Sequence, residues 1–239
     1  EFLKSHGVEK EWAKAKYSIN KGLWGTSVGG AETLTSHQTL PEEAWPTKIV
    51  NRDGLIVEIG FEHGEPTSIN GEKLTSVQAI KKLQEIAQPY GIGRDIHVGD
   101  TIIGIKGRVG FEAAAPMILI KAHQLLEKHV LGKWQLYWKD QLGEWYGMLM
   151  HEGQFLDPVM RDIEAFLENT QQKVTGKVFV KLEPKQFELI GIESEFDLMQ
   201  SKHGQYGEMN QGWSGEDVKG FTKILANATL IQQSVQNND

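Results

Sequence analysis

The stretch from Tyr90 to Pro116, YGIGRDIHVGDTIIGIKGRVGFEAAAP, decides how the rest of the chain is read. Glycine recurs at 91, 93, 99, 104, 107 and 110, too often for a stable helix interior. Arg94, Asp95, Asp100, Lys106, Arg108 and Glu112 sit between the glycines, with Ile102, Ile103 and Ile105 among them. Glycine lets backbone approach a ligand closely, and charges can then orient it. Charges of both signs favour a zwitterion such as an amino acid over a plain phosphate. The second reading of the same residues is a glycine-rich hairpin packed into a domain, with ordinary ion pairs on its surface. The residue chemistry leaves both open.

Outward from that stretch the chain alternates strands and helices. Residues 55–61 (LIVEIGF) read as a strand, and Glu62 to Glu65 as a turn. Thr67 to Ile69 answers as a second strand, closed by Asn70-Gly71. Ser76 then caps a helix with Val77, Ile80, Leu83, Ile86 and Ala87 on its apolar face, ended by Pro89. After the glycines, Pro116 opens a helix to about Leu131, and a second, tryptophan-rich helix covers about 133–152. That aromatic helix reads as core or subunit interface. Asp157-Pro158 starts a third helix, with Val159, Ile163, Phe166 and Leu167 facing inward. Lys177 to Leu182 and Phe187 to Ile192 form a hairpin across Glu183-Pro184-Lys185. Phe196 to Met199 reads as a short helix. Ser214, with an acid three residues on, caps a last helix carrying Phe221, Ile224, Leu225, Ala228 and Ile231, which Gly220 could interrupt. That stripe docks either on the chain's own domain or on a partner.

Before the first strand the order is weaker. Residues 1–7 read as a helix end closed by Gly7, so the chain is expected to begin inside a longer protein. Trp12 to Lys16 reads as extended, Tyr17 to Gly30 as loop, and 31–48, with Pro41 and Pro46, as irregular. The fold class is therefore α+β: a mixed or antiparallel sheet covered by several helices, with a C-terminal helical extension.

Composition narrows the function. A chain of 239 residues buries a proper core. The formal net charge is −7 with no basic block, against a nucleic-acid partner. Without cysteine there are no disulfides and no thiol catalysis, which suits a cytoplasmic setting. No apolar run nears the roughly 20 residues of a membrane helix. His151-Glu152 lacks the second histidine of a zinc-protease helix, and His123 and His129 are six apart, a spacing unsuited to one metal on one helix face. No metal site and no self-sufficient catalytic motif is expected. Residues 28–33 (VGGAET) lack the strand, serine and aspartate of a pyrophosphate loop.

The glycine-rich stretch resembles a segment of argininosuccinate synthases that runs from Gly-Val-Gly-Arg through an isoleucine-glycine-x-lysine core to Arg-Gly-x-Tyr-Glu-x-Pro. Residues 17–27 (YSINKGLWGTS) resemble that family's Tyr-Ser-x-Asp-x-Asn-Leu-Trp segment. Ile118 to Glu127, Phe155 to Gly176 and Glu208 to Phe221 resemble its later parts, in the same order. The resemblance implies a ligase of arginine biosynthesis that joins citrulline and aspartate and cleaves ATP, held with Mg2+, to AMP and pyrophosphate. It implies a homo-oligomer, a tetramer in the family. Its nucleotide and aspartate are held chiefly by an N-terminal domain whose loop is not in this chain, so the fragment alone is expected to be inactive. This part would supply the citrulline wall and subunit contacts.

Residue by residue, the two family serines at citrulline fall on Ser18 and Ser27. The family glutamate falls on Gly99, next to Asp100, and the family tyrosine on Phe111. An ammonium still needs an anion, so Asp100 or Glu112 is the expected substitute. Arg94, Lys106, Arg108 and Glu112 are expected in support, through ligand contact or structural pairing. The resemblance divides the chain into 1–25, the edge of the nucleotide-binding domain; 26–215, the synthetase domain; and 216–239, a possible oligomerisation arm. The competing function is a non-catalytic oligomerisation or amino-acid-binding module. A Ser-Gly-Gly-x-Asp-Thr-Ser segment upstream would discriminate for the enzyme.

Overall fold

The computed structural model describes residues 2–8, 15–204, 207 and 212–236. These fall into two compact units that divide between Phe196 and Asp197. Most of the expected extended piece at Trp12 to Lys16, and the start of the segment at Glu208, lie outside the described residues.

A short helix, α1 (Phe2–Ser5), opens the first unit, and both of that unit's sheets are antiparallel. The larger runs β5 (Glu72–Lys73), β4 (Glu65–Ile69), β3 (Leu55–Glu62), β8 (Gly176–Glu183), β9 (Gln186–Glu193). Its alternating Val57, Ile59 and Phe61 of β3 and Val178, Val180 and Leu182 of β8 are buried. They meet α2 (Ser76–Ala87) through Ile80 and Leu83, and α3 (Ala114–Val130) through Ile118, Ala122 and Leu126. Period 2 in the strands and period 3.6 in the helices thus build one core. The α2 cap lies one residue earlier than expected. Thr75 accepts from the Gln78 N–H while the Gln78 side chain accepts from the Thr75 N–H, a reciprocal box that Ser76 cannot complete. Val77 faces solvent, and Ala79 is buried instead.

The smaller sheet runs β1 (Ser18–Gly22), β2 (Gly25–Gly29), β7 (Lys106–Glu112), β6 (Arg94–Asp100). Two sequence readings change here. Residues 17–30 are a hairpin and not a loop: β1 and β2 pair from Ser18 with Gly29 to Gly22 with Gly25. The glycine-rich stretch is a hairpin, as in the second reading, with Thr101 to Ile105 as its turn, but its tip and much of β6 are exposed and not packed into the domain. Its mouth is fixed to the rest of the unit. The Ala113 N–H donates to the Gly93 carbonyl at 3.0 Å, and the Ala115 N–H to Gln84 Oε1 at 2.9 Å. Gly93 needs to be glycine, since its φ is +75° and a Cβ would lie 2.5 Å from the Ala113 oxygen.

Helices α4 (Lys133–His151) and α5 (Val159–Gln171) complete the first unit. They are tied to α3 by Glu127, whose buried carboxylate accepts from Lys139 Nζ at 2.7 Å and Gln171 Nε2 at 2.8 Å. Trp134, Tyr137, Trp138 and Trp145 of α4 are exposed. In the second unit, a 3₁₀ turn at Leu198–Gln200, capped by Asp197, replaces the expected short helix. Helix α6 (Gly215–Gln236) is continuous through Gly220, and Ser214 and Asp217 cap each other at its start. Its Phe221, Ile224, Leu225 and Ile231 are exposed. Among the described residues, no helix is long and apolar enough to cross a membrane.

Candidate functional site

Directly opposed residues of an antiparallel ladder project from the same face, and neighbours along a strand from opposite faces. The pairing therefore sorts every candidate in the smaller sheet. Asn20 opposes Ser27, Ser27 opposes Phe111, and Phe111 opposes Asp95. These four make one continuous row across all four strands. The next row on that face holds Ser18 opposite Gly29, the neighbouring Val109, and His97 opposite Val109. Gly99 lies further along, opposite Gly107. Ser18, Asn20, Asp95 and His97 are exposed, and Ser27 and Phe111 half-buried. This is the open face.

The other face is walled. Val28 and Ile96 pack there against Leu40, Ala44 and Trp45 of the segment between β2 and β3. Gly110 lies beneath Leu40, so closely that a Cβ would meet its Cδ1 at 2.2 Å. Arg94, Glu112, Arg108, Lys106 and Asp100 all belong to this side by the same parity. Arg94 Nε donates to Glu112 at 3.0 Å, Nη1 to Glu42 at 2.7 Å, and Nη2 to the Thr47 carbonyl. Glu112 also accepts from the Thr47 hydroxyl. The Arg94 side chain is 8% exposed and Glu112 3%, so this is a buried, fully partnered pair. The guanidinium holds the Glu42 carboxyl below its usual range, against a smaller upward push from burial. Arg108 donates to the carbonyls of Glu32, Thr35 and Gln38, which pins the 31–38 segment to the sheet. Asp100 and Lys106 pair at 2.6 Å at the exposed hairpin tip. That tip is five residues along the strand from Phe111, roughly 17 Å at 3.4 Å per residue.

The structure therefore brings Ser18, Ser27 and Phe111 to one open face, with Gly99 on that face nearer the tip. It does not bring Asp100 or Glu112 there. Both acids proposed from sequence to take a ligand's ammonium are on the walled side and are already paired. Gly99 presents no group, and His97 leans over it, with Nε2 2.9 Å from where a Cβ would stand. Sequence reasoning passed over Asn20 and Asp95. The signal for Asp95 was available: counting back from the hairpin turn pairs it with Phe111.

An open polar row on a small antiparallel sheet, beside a second sheet roofed by helices, defines an α+β protein whose small sheet keeps one face open. Comparison with known proteins supplies the family. A model described as the arginosuccinate synthase C-terminal domain matches residues 17–231. The chain is 37% identical over 213 residues to the argininosuccinate synthase of Dictyoglomus thermophilum, covering 89% of this chain and 53% of that protein. It is 39% identical over 201 residues to that of Methanocaldococcus jannaschii, covering 83% and 51%. Against that of Sulfurisphaera tokodaii it is 30% identical over 239 residues, covering 99% and 60%. The chain belongs to the argininosuccinate synthase family and matches its C-terminal domain. It spans about half the length of the curated relatives it matches.

Proposed function

We propose that this chain is the citrulline-binding and subunit-contact part of an argininosuccinate synthase. The observation that carries the reading is that Ser18 and Ser27, on one hairpin, share an open face with Phe111, distant in sequence, in a chain belonging to that family. Ser hydroxyls both donate and accept, so they suit a ureido group. The Phe111 ring supplies an apolar floor between them and Asp95. In the reaction so proposed, the citrulline ureido oxygen attacks the α-phosphorus of ATP and pyrophosphate leaves. The aspartate amine then attacks the ureido carbon, AMP leaves with the C–O bonding pair, and the amine loses its proton. The sheet contributes position and orientation, and a nucleotide-binding partner domain brings ATP with Mg2+ and aspartate. The exposed aromatic face of α4 and the apolar side chains of α6 serve subunit contacts in this reading, in keeping with a homo-oligomer.

The departures at Gly99 and Phe111 favour the second reading, an amino-acid-binding or oligomerisation module without turnover. One assay separates the two. Citrulline- and aspartate-dependent pyrophosphate release is expected from the protein carrying its nucleotide-binding domain, and none from residues 1–239 alone. Ser27→Ala should raise the citrulline KM about five- to 150-fold, for a lost hydrogen bond of about 1–3 kcal/mol. Citrulline binding without any pyrophosphate release by the longer protein would establish the module instead.

A further inference from the structure

A cleft of about 610 Å³ opens along the free edge of β6, between that strand, the first turn of α3 and the β8–β9 turn. Asp95, His97 and Phe111 from the open face line it, with Met117, Lys185 and Phe187 opposite. The cleft thus has one carboxylate, Asp95, and one ammonium, Lys185, among largely apolar walls; Arg94 also lines it, but its guanidinium is taken up by Glu112, Glu42 and the Thr47 carbonyl. It also shares Phe111 with the row that carries Ser27.

We propose that this cleft holds the zwitterionic end of the amino-acid ligand, with Asp95 taking its ammonium and Lys185 its carboxylate. The inference rests on the reading of the open face as the citrulline wall, and it names which groups recognise the ligand's backbone end.

Three observations lead to it. Of the three acids in the four strands of this sheet, Asp95 alone lies on the open face, because parity sends Asp100 and Glu112 to the other. Asp95 also has capacity to spare. One oxygen accepts from the Ile96 N–H at 2.7 Å, and no described donor engages the other. Reach is the third. Ser27 and Asp95 are two strand spacings apart in one row, about 10 Å. An extended α-amino acid with a ureido group at its far end covers that span with a hydrogen bond at each end. Lys185 stands on a turn with φ of +65°, fixed by its own N–H donating to the Tyr90 carbonyl at 2.8 Å. Its exposed side chain also feels Glu42, and forms no ion pair with Asp95. Both groups therefore stay available to a ligand.

The test is calorimetry on the protein with its nucleotide-binding domain, using citrulline and 5-ureidopentanoate, the same molecule without its amine. Asp95→Asn is expected to weaken citrulline at least tenfold and to leave 5-ureidopentanoate within twofold. Lys185→Met is expected to weaken both. Asp95→Glu should restore part of the citrulline affinity, which a merely structural role would not predict. Asp100→Asn should change neither ligand. If Ser27→Ala weakens citrulline while Asp95→Asn and Lys185→Met leave it within twofold, the cleft assignment falls and the citrulline wall stands. If Ser27→Ala is also without effect, both fall. Both substituted residues are exposed, and unchanged melting temperatures will show that binding, not folding, was altered.

Discussion

Replacing Glu112 with glutamine tests whether the walled side of the small sheet is structural. Glu112 accepts from Arg94 Nε and from the Thr47 hydroxyl, with its side chain 3% exposed. Breaking a buried ion pair by removing one partner costs about 3–5 kcal/mol, because the other charge is left buried. Arg94 would keep Glu42 and the Thr47 carbonyl, and glutamine keeps one acceptor, so the lower end applies. About 3 kcal/mol in a domain of this size lowers the melting temperature by about 6–12 °C, at 2–4 °C per kcal/mol. Scanning calorimetry should show that drop. Citrulline affinity, measured well below the transition, should stay within twofold. A melting temperature within 2 °C of the parent, together with a tenfold loss of affinity, would show that Glu112 contacts ligand and that the division into two faces is mistaken.

Three further outcomes follow from the packing. Lys139→Met strips the buried Glu127 of its lysine partner while Gln171 remains, so urea denaturation should show a loss of about 3 kcal/mol, and adding Glu127→Gln should recover more than half. His123 faces Glu127, Gln171, Lys139 and the Phe61 ring; burial depresses its pKa below 6.5 and outweighs the upward pull of Glu127 and Gln171. The unfolded chain therefore binds this proton more readily, so the stability is full above pH 6.5 and falls as pH drops through the folded value. His123→Gln should flatten that slope, and an unchanged slope would assign the effect elsewhere. Gly93→Ala places a Cβ against the Ala113 carbonyl at positive φ, and should cost more than about 2 kcal/mol, or about 4–8 °C.

Where burial and period agree, the sequence was informative. The alternation of β3 and β8 and the stripes of α2 and α3 were readable because each element has one wet and one dry side. The β1–β2 hairpin was not readable, because all of β1 is exposed and its turn, Leu23-Trp24, lacks the usual turn residues. A strand without a buried face has no alternation to detect. For the site, the matter was register. Phe111 and Glu112 are adjacent, so they cannot share a face once Lys106–Glu112 is a strand; left unassigned, the stretch made both look like parts of one pocket. The same blindness hid Asp95, sixteen positions before Phe111 in sequence and opposite it in space. Arg94 and Arg108 looked like ligand groups because, Glu112 apart, the carbonyls and the acid that absorb them come from residues 32–47, a segment with no regular pattern of its own.

The most direct test is a crystal structure of the protein with citrulline bound. The account predicts the ureido group at Ser27, the chain over Phe111 and the zwitterionic end between Asp95 and Lys185. Ligand bound instead at Arg94 and Glu112, or at the Asp100–Lys106 tip, would contradict it.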